Sequence, residues 1–268
     1  LGYYAIALMV LNSFMLIPGA SREVLEPRLM QDINSIGNQE IIEDYLLRPL
    51  TNAAFYMPIM IGAAYFILPS LIKWILPRYI SGIVPMQILV CGGYFLAMSY
   101  LVRGFVIAKK WHISVLLPLV SVLIVNVVII IVFVKVSGQI TGAAIGAGIS
   151  NFILFVSLLI FIIRKCDTND TKNLRKGIIP IIFPFIGMCI GFFILNYCFS
   201  FISINAFIEG IIKFLIFLFS LLIIIFIVER KYSYLDGFNI NQLLKKKNIE
   251  PIKKHDNDNK EELGIFYE

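Results

Sequence analysis

Residues 112–134 read HISVLLPLVSVLIVNVVIIIVFV, a run without a single Asp, Glu, Lys or Arg. An α-helix rises 1.5 Å per residue, so such a run spans about the 30 Å of a bilayer's hydrocarbon core. A buried helix of a water-soluble domain rarely runs so long without a charge. On either side of it lie six further apolar runs, near 1–21, 51–76, 82–108, 141–163, 177–199 and 206–228. The whole chain is 59% hydrophobic and 15% charged, against about 45–50% and 25% in soluble domains. The sequence therefore predicts an all-α polytopic membrane protein of seven transmembrane helices.

The net charge of +6 is a matter of topology and not a nucleic-acid signal, because the basic residues gather in alternate gaps. Arg22, Arg28 and Arg48 occupy 22–50; Lys109 and Lys110 follow the third run; Arg164, Lys165, Lys172, Arg175 and Lys176 follow the fifth; eight more lie in the tail from 229. That puts 18 on one side, against Lys73, Arg78 and Lys135 on the other. Loops rich in Lys and Arg stay in the cytoplasm, which predicts a multi-pass protein of the cytoplasmic (inner) membrane with a cytoplasmic C-terminus. Leu1 then starts outside and already within a span, so the chain is expected to be the later part of a larger transporter.

The gap 22–50 repeats Leu25, Leu29, Ile33 and Ile36 with Arg28, Asp32 and Asn34 between them, the pattern of a helix lying in the membrane interface or of a solvated elbow between two spans. The polar stretch 164–176 reads as a cytoplasmic linker between a five-span block, 1–163, and a two-span block, 177–228. The segment 229–268 reads as a charged cytoplasmic tail, with Lys245, Lys246 and Lys247 near the headgroups and a polar end.

Cys91, Cys166, Cys189 and Cys198 form no disulfide framework, and no C-x-x-C occurs. With only His112 and His255 besides, no metal site and no cofactor are expected. Neither G-x-S-x-G, a Walker loop nor H-E-x-x-H is present, so the chain reads as no enzyme.

Charges inside spans cost at least about 2.5–3.5 kcal/mol at a helix centre, so they are the first candidates for function. Arg103 has Ser99 and Tyr100 nearby and either snorkels to the headgroups or binds an anion in a water-filled cavity with its planar fork. Glu209 and Lys213 stand i, i+4 as an ion pair or a lipid-headgroup contact. Asn126, Asn52 and Tyr56 are polar candidates for a substrate pathway or for helix–helix hydrogen bonds, as are Asn151 and Asn196. Gly142 and Gly146, Ala144 and Gly148, and Gly187 and Gly191 form small-residue faces for close helix packing. Pro58, Pro85, Pro118, Pro180 and Pro184 lie in spans or near their ends, as kinks that suit a rocking transporter.

Several stretches resemble the C-terminal half of the Wzx-type oligosaccharide flippases of polysaccharide biosynthesis, in the multidrug/oligosaccharidyl-lipid/polysaccharide exporter superfamily. They are Leu1-Gly2-Tyr3-Tyr4, Glu26-Pro27-Arg28-Leu29, Arg48-Pro49-Leu50, the run from Tyr79 to Leu89 and the run from Thr141 to Ser150; the likeness covers about 1–228. The resemblance implies the second lobe of a fourteen-helix flippase without its first helix, followed by two additional C-terminal helices. It also implies a lipid-linked oligosaccharide as substrate, carried on a polyprenyl diphosphate, with Arg103 as a counterpart of the family's cationic cavity residues. Coupling to H+ or Na+ fits it too. A multidrug-type exporter of the same superfamily and a membrane polysaccharide polymerase or glycosyltransferase are the competing readings; the latter wants a large outer loop, and those here are short.

Overall fold

The computed structural model describes residues 2–32, 38–137, 139–166, 168–199 and 205–232. Every regular element in it is helical: α1 (Gly2–Asp32), α2 (Asn38–Ile42), a π-turn (Glu43–Leu47), α3 (Arg48–Ile75), a 3-10 turn (Pro77–Gly82), α4 (Ile83–Ala108), α5 (His112–Ser137), α6 (Gln139–Lys165), α7 (Thr168–Phe199) and α8 (Ala206–Tyr232). Six segments are long and apolar enough to cross a membrane: Tyr4–Asp32, Glu40–Ile75, Pro77–Ala108, His112–Val136, Ile140–Lys165 and Ile181–Phe199. Helix α8 is the seventh long helix, with side chains described to residue 223. The protein has an all-α polytopic membrane fold, as expected.

Two boundaries differ from the sequence reading. Residues 22–32 do not form a separate interfacial helix; α1 runs through them without a break. The supposed linker 164–176 is mostly helix, with α6 reaching Lys165 and α7 starting at Thr168. A charged residue ends the hydrophobic span but not the backbone ladder, which continues into water at little cost. Ile33, Ile36 and the tail from 233 lie outside the described residues.

Local chemistry sets several ends. No end falls at Pro49: the Arg48 N–H reaches the Glu43 carbonyl, so α2 runs through the π-turn into α3 without a break. Asn205 caps α8 by accepting the Phe207 N–H at 3.1 Å, the usual role of Asn at that place. At the end of α4 the Trp111 N–H reaches the Val106 carbonyl and the Lys110 N–H reaches that of Ile107. This double closure needs a left-handed residue, and Lys110 supplies it at φ 59° where glycine is usual.

Packing is organised around α4, which is buried on nearly all sides. Lipid tails are as apolar as leucine, so helices associate in a bilayer by close approach of small residues. A Cβ on Gly92 would stand 2.5 Å from the Gly148 Cα of α6, and one on Gly93 would stand 2.4 Å from Leu11 of α1. Helix α6 turns its other glycines to α5: Gly142 meets the Phe133 carbonyl and Gly146 meets Ile130. The small-residue faces expected from sequence thus hold α6 between two neighbours.

Helices α7 and α8 attach to α3 around Phe217. Its ring fills the space that a side chain would need at both Gly62 and Gly191, with Phe192 at 5.0 Å and Phe66 at 5.8 Å between centroids. The contacts run Gly62 to Phe217 and Phe66 to Gly210, so α3 and α8 are antiparallel. Gly93 to Leu11 and Gly104 to Arg22 make α1 and α4 parallel. This is the alternation that seven successive spans demand.

The two glycines of the central contact are not equivalent. A Cβ on Gly148 would sit 3.7 Å from the Gly92 Cα, an ordinary contact. Gly92→Ala is therefore expected to lower stability by about 1–3 kcal/mol, while Gly148→Ala leaves it nearly unchanged. Thermal unfolding of the two purified variants in detergent checks the difference; equal losses would mean that α4 and α6 are not in this register.

Candidate functional site: two arginines between α1 and α4

From Gly92 to Ala108 every residue of α4 is buried except Leu96, Tyr100, Arg103 and Ile107. These four are spaced by four, three and four, so they form one stripe along the helix. Arg103 is the charge on that stripe. Its Nε donates to the Ser99 carbonyl at 3.4 Å, and its guanidinium lies 4.7 Å from the centre of the Tyr100 ring. The long hydrogen bond and the cation–π contact hold the group weakly. Among the described residues no carboxylate pairs with it.

A second arginine stands beside it. Arg22 continues the stripe of α1 that buries Ala7, Leu11, Met15 and Pro18. Its stem lies against Gly104, where a Cβ would come within 2.7 Å of the Arg22 Cγ and 3.4 Å of its Nε. Glycine at 104 thus lets a guanidinium stem cross α4 next to Arg103, and the two positive charges repel. Arg22 pairs with Glu26 at 3.1 Å, with side chains 28% and 21% exposed. A small cleft lined by Arg22, Glu26, Tyr45, Pro49, Gly104 and Phe105 opens beside the pair. Tyr45, on the π-turn, donates to Asp32 and so ties the end of α1 to the start of α3.

The sequence reading missed Arg22, which it counted among loop charges. The signal was present: Leu11, Met15, Pro18 and Arg22 are spaced four, three and four, so the inward face of α1 runs past the first charge.

The other candidates fall elsewhere. Asn52 is exposed on α3. Tyr56 is half-buried and turns to Ser21 of α1, yet its hydroxyl makes no properly formed hydrogen bond. Asn151 donates to the Gly92 carbonyl at 3.4 Å across the α4–α6 contact, a packing role. Glu209 and Lys213 pair at 2.6 Å. Lys213 also reaches the Asn196 Oδ1 at 3.4 Å and stands over the Phe199 ring, and Asn196 in turn donates to the Tyr65 hydroxyl at 3.0 Å. This network joins α8 to α7 and α3 and neutralises its own cation. Arg103 differs in having no such counter-charge among the described residues.

Asn126 faces α6. The register that sets Gly142 on Phe133 and Gly146 on Ile130 carries Ser150 to the level of Asn126. The Asn126 Oδ1 and the Ser150 Oγ are both buried without a hydrogen-bond partner.

No protein-family model, curated protein or solved structure matches the chain.

An unsatisfied buried amide costs stability, so removing it costs none. Asn126→Leu is expected to leave the melting point unchanged or to raise stability by up to about 1 kcal/mol. A loss of about 2 kcal/mol or more in thermal unfolding would show that the amide has a partner after all.

Proposed function

We propose that the protein is a flippase that carries a polyprenyl-diphosphate-linked oligosaccharide across the cytoplasmic membrane by alternating access, and that it is a transporter and not an enzyme. The observation that carries this reading is the half-buried Arg103, beside Arg22, with no carboxylate partner among the described residues. A desolvated cation without a counter-charge is costly unless something supplies one. A diphosphate supplies two charges and oxygens that suit planar guanidinium forks. The lipid-linked oligosaccharide as the source of that diphosphate rests on the family resemblance.

The physical task is to pass a charged, sugar-bearing head through hydrocarbon while its lipid tail stays in the bilayer. In this reading the open stripe of α4 contributes to one wall of the polar path, and Arg103 and Arg22 hold the diphosphate near the end that bears Lys109. The basic gaps support a cytoplasmic position for that end, where the head would first be captured. Rocking about the glycine contacts of α4 would then offer the site to the other side.

Arg103→Gln, introduced into the intact gene in its host, is expected to cut delivery of repeat units to the outer surface at least about tenfold, since a charge-assisted contact is lost. Lipid-linked units should accumulate at the inner leaflet while protein abundance in the membrane stays normal. Arg103→Lys, which keeps the charge and loses the fork, should fall between. Normal export by the Gln variant would return Arg103 to a snorkelling role. Unchanged translocation with lost chain elongation would point to a polymerase.

A further inference from the structure

Arg22 crosses α4 at Gly104, the residue after Arg103, and Glu26 is the carboxylate that pairs with Arg22. We propose that Glu26 is a built-in competitor for the anion: it occupies Arg22 in the unloaded protein and yields it when a phosphate or diphosphate group arrives at Arg103. This rests on reading the arginine pair as an anion site.

Three observations make the Arg22–Glu26 pair exchangeable. Arg22 precedes Glu26 in the helix, the weaker order for an i, i+4 pair. Both side chains are partly accessible, at 28% and 21% exposure, so the released carboxylate has open space to move into. Both also line a small cleft together with Gly104, so the pair does not lie behind a closed wall. The Glu209–Lys213 pair shows the contrast. Glu209 and Lys213 are at 2.6 Å with Lys213 only 13% exposed, and Asn196 and Phe199 complete the cation's surroundings. Lys213 is thus held by three groups, whereas Arg22 has Glu26 alone as its polar partner among the described residues.

The charges make the exchange useful. With Glu26 on Arg22 the site carries one net positive charge, and an empty pair of like charges is not left to repel. With Glu26 displaced, two guanidinium groups face the two negative charges of a diphosphate. The carboxylate thereby lowers affinity, and it also speeds release, which a transporter needs as much as capture.

The test is calorimetric titration of the intact protein in phosphatidylcholine nanodiscs, with inorganic pyrophosphate and, separately, with farnesyl diphosphate in the bilayer. Glu26→Gln is expected to tighten pyrophosphate binding about fivefold, and Glu26→Asp to stay within about twofold of the natural protein. Arg103→Gln is expected to weaken binding at least about tenfold. If Glu26→Gln leaves binding unchanged while Arg103→Gln weakens it, the competitor is wrong and the anion site stands. If Glu26→Asp tightens binding as much as Glu26→Gln, charge is not the cause and the competitor is again wrong. If neither Glu26→Gln nor Arg103→Gln alters binding, both proposals fall. Tighter binding of farnesyl diphosphate than of pyrophosphate, with the same response to Glu26→Gln, identifies a lipid-borne phosphate; equal affinities identify a free one.

Discussion

The contact on which the rest of this structure depends is the meeting of bare backbone at Gly92 and Gly148. Within a bilayer, apolar side chains gain nothing by leaving lipid for protein, so helices are held by how closely their surfaces fit. Helix α4 is built for that approach. It offers Gly92 to α6 and offers Gly93 and Gly104 to α1, and the two neighbours answer with a glycine Cα, a leucine methyl and an arginine stem. Helix α3 also meets α4 directly, where Gln87 donates to the Tyr65 carbonyl, and Tyr94 of α4 donates to the Ile181 carbonyl of α7. Helix α5 rests on the other glycines of α6, and α7 and α8 rest on α3 through the Phe217 ring.

The same bundle holds charge inside the membrane in two ways. Near the start of α8, Lys213 is met by a carboxylate, an amide oxygen and an aromatic face, and Asn196 passes the network on to Tyr65. Every member is used, so the network binds three helices and leaves nothing over for a ligand. On α4, Arg103 has only the Ser99 carbonyl and the Tyr100 ring among the described residues, and the Arg22 stem passes at the next residue, Gly104. A network that is complete stabilises; a cation without its counter-charge is held at a cost that a ligand can remove.

How much of this was legible depends on range. The seven long helices follow from the apolar runs, because spanning length is a local property of the sequence. The small-residue faces of α6 were legible too, since spacing four puts Gly142 with Gly146 and Ala144 with Gly148 on shared faces. What the sequence reading misplaced were the extents of helices past the bilayer. It stopped α1 at the first charge and took 164–176 for a linker, although hydrogen bonding carries a helix on through polar residues. The contacts of Arg22 with Gly104 and of Tyr65 with Asn196 join positions far apart in the chain, and a single sequence holds no record of such contacts. Ser150 is a related case. It looked like one more small residue, and only the register of α5 against α6 reveals its orphaned hydroxyl opposite Asn126.

Gly104 shows how packing and chemistry meet at one residue. At Gly92 a methyl group would strike backbone, which cannot move without separating two helices. At Gly104 it would strike the Cγ and Cδ of Arg22 at 2.7 and 3.2 Å, flexible atoms that can swing away into water. The first glycine is therefore a requirement of the fold, while the second is a requirement of where Arg22 lies. Gly104 thereby fixes the course of the Arg22 stem across α4, one residue from Arg103, while the approach of the helix backbones is set at Gly92.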